Sequence, residues 1–97
     1  MDERNVRGRV LVLPGAEAVL CAARVSAFEL VARHLAGDWG EVTETRKAAN
    51  ERSFNEGWGW FFSVFRLPDY GPLVLLISDW IEEKKRVETT VLLAPEN

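Results

Sequence analysis

The chain has 97 residues, 47% of them apolar and 10% aromatic, enough for one packed core and too apolar for disorder throughout. Twelve basic against fifteen acidic side chains leave a net charge of −3, opposite to the basic excess of generic nucleic-acid or anionic-membrane binders. One cysteine and one histidine exclude an intramolecular disulfide and a Cys/His zinc cluster, and no apolar run approaches the roughly 20 residues of a membrane helix.

No low-complexity linker or internal repeat divides the chain, so residues 1–97 read as a single domain. Met1-Asp2-Glu3-Arg4-Asn5 is mixed in charge and lacks the apolar stretch of a secretory signal. Cys21, within Val19-Leu20-Cys21-Ala22-Ala23, reads as a small buried hydrophobe, and a reducing cytoplasm is the expected compartment. The acidic excess lies in the second half: residues 1–50 hold seven acids and seven bases, residues 51–97 eight and five.

In chain order, Arg7 to Leu13 predicts a first strand, stopped by Pro14-Gly15. Pro14 also suits the opening of a helix, and the Ala-rich stretch from Gly15 to Arg24 predicts a short one. Ser26-Ala27-Phe28-Glu29 has the form of a capping box, with Val25 and Leu30 placed as a hydrophobic staple. Phe28, Val31, Ala32 and Leu35 then follow helical spacing, and Gly37 stands where a left-handed residue ends a helix over roughly 27–36. Thr43 caps a third helix reaching Glu56, with Gly57 as its stop; it is largely polar, and only Ala48, Ala49 and Phe54 are expected to face a core.

After Gly57 the pattern becomes extended. Trp58 to Leu67 is aromatic and β-prone, Pro68 to Pro72 is a turn cluster, and Leu73 to Trp80 is a second run of strand residues. Glu82-Glu83-Lys84-Lys85-Arg86 reads as a charged hairpin tip, and Val87 to Leu93 as the last strand. The fold class is therefore α+β: an N-terminal strand, two to three helices, then a three-stranded antiparallel meander with the helices on one sheet face.

Arg33-His34-Leu35-Ala36-Gly37-Asp38-Trp39-Gly40-Glu41-Val42 resembles the "RH-xx-GDWG-D/E" block of a family of small, functionally uncharacterised bacterial proteins carried on plasmids, phages and chromosomes. Leu13-Pro14-Gly15-Ala16 resembles that family's opening "TPGA", Ser63-Val64-Phe65 its "LSAY", and Thr89-Thr90-Val91-Leu92-Leu93 its "TTVLLP" ending. The chain departs from it at Trp58, Trp60 and Phe61, where polar residues are usual, and in the longer tip after Trp80. The resemblance implies the α+β fold and a soluble protein; it implies no established activity and transfers no catalytic residue.

Two places bear on function. His34, Asp38 and Glu41 form the one close His/carboxylate group, which reads either as acid–base machinery or as a helix end followed by a turn. In the second reading the His34 cation suits exposed carbonyls, Asp38 bonds turn amides, and Trp39 plugs the gap between helix and sheet. One histidine and two carboxylates in a glycine turn are no metal-ligand spacing, so neither metal nor cofactor is expected. The aromatic strand is the second place. Alternation puts Trp58, Trp60, Phe62 and Val64 on one face and Gly59, Phe61, Ser63 and Phe65 on the other, so both faces are apolar. Either loops and the first helix cover the second face, or it is an exposed patch for a partner or a homodimer.

The expected function is a small non-enzymatic interaction protein that binds a protein partner, of the kind that inhibits defence systems in phage– or plasmid–host conflict, such as anti-CRISPR or anti-restriction proteins. Its candidate binding residues are Trp58, Trp60, Phe61, His34, Asp38, Trp39, Glu82 and Glu83. The alternative is a small RNA-acting enzyme or toxin using His34 with Asp38 or Glu41. Direct non-specific nucleic-acid binding and membrane association are not expected.

Overall fold

Local signals set the helices. In the computed structural model, which describes residues 8–82 and 86–94, Pro14 opens helix α1 (Pro14–Ala23) at its first turn, where a missing N–H costs nothing. Ser26 caps α2 (Ala27–Leu35) by accepting from the Phe28 amide, so the hydroxyl serves one position earlier than the capping box predicts. Thr43 caps α3 (Glu44–Glu56) by accepting from the Arg46 amide, and Gly57 ends it at φ +76°.

The strands are β1 (Val10–Val12), β2 (Trp60–Arg66), β3 (Leu73–Glu82) and β4 (Arg86–Leu93). They form a four-stranded sheet in the order β1-β4-β3-β2. The meander β2-β3-β4 is antiparallel as expected, with Phe61 opposite Ser78 and Ser78 opposite Thr89. The N-terminal strand, shorter than its sequence pattern, joins the same sheet parallel to β4, which makes the sheet mixed. Of the charged tip, Glu82 and Arg86 pair across β3 and β4, while Glu83 lies outside the described residues.

Alternation assigns each strand residue to a face. Phe61, Phe65, Val74, Leu76, Val87 and Val91 point to the helices and are buried. They meet Ala16 and Leu20 of α1 and Leu30 and Val31 of α2 in one cluster, and Trp39 and Phe54 in a second. Each fully buried side chain of this size contributes about 1.5–3 kcal/mol.

Three expectations are corrected here. The buried stripe of α2 is Leu30, Val31 and His34, one position away from the expected one, and Phe28 is 76% exposed. The buried residues of α3 are Asn50 and Phe54, with Ala48 and Ala49 on the outside. Cys21 lies on the exposed side of α1, not in the core.

Asn50 has a specific task. Strand β2 is a sheet edge, and an edge leaves backbone groups without partners. The Asn50 amide occupies that edge as a strand would: it donates to the Phe62 carbonyl at 2.6 Å and accepts from the Phe62 amide at 3.2 Å. Two residues on, the Val64 amide donates to the Trp39 carbonyl and the Val64 carbonyl accepts from the Glu41 amide. Gly40, at φ +70°, lets this loop approach so closely that a Cβ there would overlap the Val64 carbonyl. Asn50→Ala is expected to lower unfolding free energy by about 1–3 kcal/mol in urea titrations, since it removes both hydrogen bonds to the part-buried Phe62 backbone. A loss below about 1 kcal/mol would show that the edge does not need this closure.

Candidate interaction surface

On the helix side the polar residues form one closed chain. His34 projects from α2 into the sheet and is fully buried. Its Nδ1 lies 2.5 Å from the Ser63 hydroxyl on β2, and its Nε2 lies 2.8 Å from the Ser78 hydroxyl on β3. Ser78 continues to Thr89 on β4 at 2.6 Å, and Ser63 reaches the Asp38 carbonyl at 3.4 Å. One proton assignment serves all four contacts: Thr89 donates to Ser78, Ser78 to Nε2, Nδ1–H to Ser63, and Ser63 to Asp38. A doubly protonated ring would also donate to both serine hydroxyls, but burial selects the neutral ring, pushing the His34 pKa down to about 3. The ring also stacks on Phe61 and meets Trp39 edge-on.

This arrangement replaces the expected cationic helix end. His34 does not meet the side chain of Asp38 or of Glu41. Arg33 takes Asp38 at 2.8 Å and holds its carboxyl below the usual range, while Asp38 also accepts from the Gly40 amide, as the turn reading expected. Glu41 pairs instead with Arg66. Ser63 and His34 have the chemical identities of a nucleophile and a base, but both are fully buried, so substrate has no path to the hydroxyl in this conformation. Trp39 plugs the space between α2 and the sheet; its Nε1 is the one buried side-chain polar atom among the described residues without a partner. Among those residues no group of three or more His, Cys, Asp or Glu is placed to hold a metal ion, and no helix is long and apolar enough to cross a membrane.

The opposite sheet face is different. Phe62, Val64, Leu75, Ile77 and Leu92 point away from the helices and remain partly exposed, and Leu11 beside them is 55% exposed. Thr90 is the polar residue at the centre of this surface, with Leu11 and Ile77 as its strand neighbours. Charges stand at the two ends: Asp79 and an Arg9–Glu88 pair at one, the Arg66–Glu41 pair at the other.

At the Asp79 end the face runs into a groove of about 250 Å³ between α3 and the start of β2, lined by Arg46, Ala49, Arg52, Trp58, Gly59 and Trp60. Trp58 is 60% exposed and Trp60 47%. The Arg46 guanidinium lies over the Trp60 ring at 4.6 Å and the Phe62 ring at 4.9 Å, and those two rings stack on each other. Trp58 donates its indole N–H to Glu56 and its carbonyl accepts from Ser53, which fixes it at the groove wall.

The candidate residues thus separate. Trp58 and Trp60 share the exposed groove; Phe61, His34 and Trp39 lie in the core and offer no binding surface; Asp38 is exposed in the turn after α2. Neighbours that the sequence reading passed over are Ser63, Ser78 and Thr89 around His34, and Arg46 on the aromatic rings. Three hydroxyls at helix-facing positions of three successive strands were the available signal for the buried chain. Comparison with family models, curated proteins and solved structures finds no match to this chain.

The neutral imidazole makes stability depend on pH. The His34 pKa is about 3 in the fold and about 6.5 unfolded, so between those values the unfolded chain binds the extra proton. This contribution is fully present above about pH 6.5 and is lost as pH falls. Urea unfolding is expected to show a decrease of about 2 kcal/mol between pH 7.5 and 5, and His34→Gln, which removes the one histidine, to abolish most of that slope. An equal slope in both proteins would place an ordinary, solvated imidazole at this position.

Proposed function

We propose that this is a small non-enzymatic interaction protein that binds a protein partner through the open sheet face and the Trp58/Trp60 groove at its end. The observation carrying the reading is the composition of the outward strand positions. An antiparallel sheet with one solvated face alternates apolar-in and polar-out. Here Phe62, Val64, Leu75, Ile77 and Leu92 are outward and apolar, and a groove with two exposed tryptophans and two arginines adjoins them. Trp and Arg are the residues that most often anchor protein interfaces.

Two further observations favour this reading over RNA-directed catalysis. The one histidine is buried and neutral, and the net charge is −3. The resemblance to plasmid- and phage-borne proteins supports the narrower role of an inhibitor in phage–host conflict.

The test is affinity capture from bacterial lysate with the natural chain and with a Trp58→Ala/Trp60→Ala variant. Both tryptophans are exposed, so the variant should unfold within about 1 kcal/mol of the natural chain. Its partner should be weakened by about 30-fold or more, the effect of losing an interface anchor. Equal capture by both proteins would overturn the role of the groove.

A further inference from the structure

We infer that the open sheet face is the contact between two copies of this chain, packed sheet on sheet. The inference rests on the reading of that face as an interaction surface and names its occupant.

Area is the first argument. Three strands of about seven residues and the short β1, at about 4.8 Å spacing and 3.3 Å rise, span about 380 Å² in plan. Two copies would then bury at least about 760 Å² in plan, and more in accessible surface, approaching the roughly 1,000 Å² that a specific interface needs.

Charge placement is the second argument. The ends of the face carry both signs, which suits a self-complementary surface better than a partner of one charge. A two-fold axis along the strands would set Glu88 of one copy over Asp79 of the other, two acids together. An axis across the strands sets Trp60 over Arg66 and Asp79 over Leu73 of the second copy, with Arg66 one strand away from Asp79. It also lays the Leu11–Thr90–Ile77–Phe62 row over the neighbouring row that contains Leu92, Leu75 and Val64. Asp79 has no ion-pair partner among the described residues, and this second arrangement brings Arg66 of the other copy to the adjacent strand, within reach of its long side chain. The Trp58 sides of the two grooves stand at opposite ends of the pair, while Trp60 lies at the contact.

Sedimentation equilibrium of the full chain between about 1 and 100 µM tests this. The natural chain should sediment at twice the chain mass. Thr90→Lys, a polar change at the centre of the face, should raise the dimer dissociation constant by at least tenfold while thermal unfolding of the monomer stays close to the original. Asp79→Arg should weaken the dimer, and adding Arg66→Asp should recover it. Ile77→Asp is the second face variant should Thr90→Lys fail to fold. A natural chain that is monomeric at 100 µM, or a dimer indifferent to the face variants, overturns the inference. A monomer whose capture still depends on Trp58 and Trp60 removes the second copy and leaves the proposed function standing. A monomer whose capture does not depend on them removes both.

Discussion

His34 joins helix α2 to β2 and β3, and burial keeps its ring uncharged there. Its two nitrogens organise three hydroxyls on three strands, so one side chain satisfies polar groups that would each cost about 1–3 kcal/mol if left unpaired in the core. The half-exposed Arg33–Asp38 pair beside it contributes at most about 1 kcal/mol. The buried chain is therefore the stronger determinant of how α2 sits on the sheet. It also sets where the following turn goes, because Ser63 reaches the Asp38 carbonyl while Val64 holds Trp39 and Glu41 by backbone bonds.

This division of labour leaves the two sheet faces with different roles. The helix-facing side is buried, and its hydroxyls are spent on one another and on the imidazole. The β2 edge is closed by Asn50 and the Gly40 loop, so β2 is not offered as a template for another strand. What the fold leaves available is the other sheet face, with the aromatic groove at its end. Arg46 belongs to both regions: it comes from α3 but lies over the Trp60 and Phe62 rings, which ties them to the helix.

Much of the local structure was legible because its causes are local. Ser26, Thr43, Gly37 and Gly57 marked the helix ends, and alternation in Trp60–Arg66 separated the buried Phe61 and Phe65 from the outward Trp60 and Phe62. The aromatic groove was partly legible for the same reason. What escaped was set by distant residues. Phe28 and His34 both lie on acceptable helical stripes that share Val31, and hydrophobicity favours Phe28. The choice falls to His34 because hydroxyls 29 and 44 positions away await it. The parallel pairing of β1 with β4 joins opposite ends of the chain, and Asn50 reads as a polar surface residue until β2 is placed beside it. Cys21 sits in an apolar run but on the outer side of α1, where run composition is a poor guide.

The claim on which the account turns is that His34 is a neutral, Nδ1-protonated imidazole inside the fold. A long-range proton–nitrogen correlation spectrum of the side chain at pH 7 measures this directly. The account predicts an unprotonated Nε2 accepting from Ser78 and a protonated Nδ1 in slow exchange with solvent. A fast-exchanging imidazole averaging both tautomers, or a doubly protonated ring, would contradict it and would return His34 to the surface chemistry that the fold denies it.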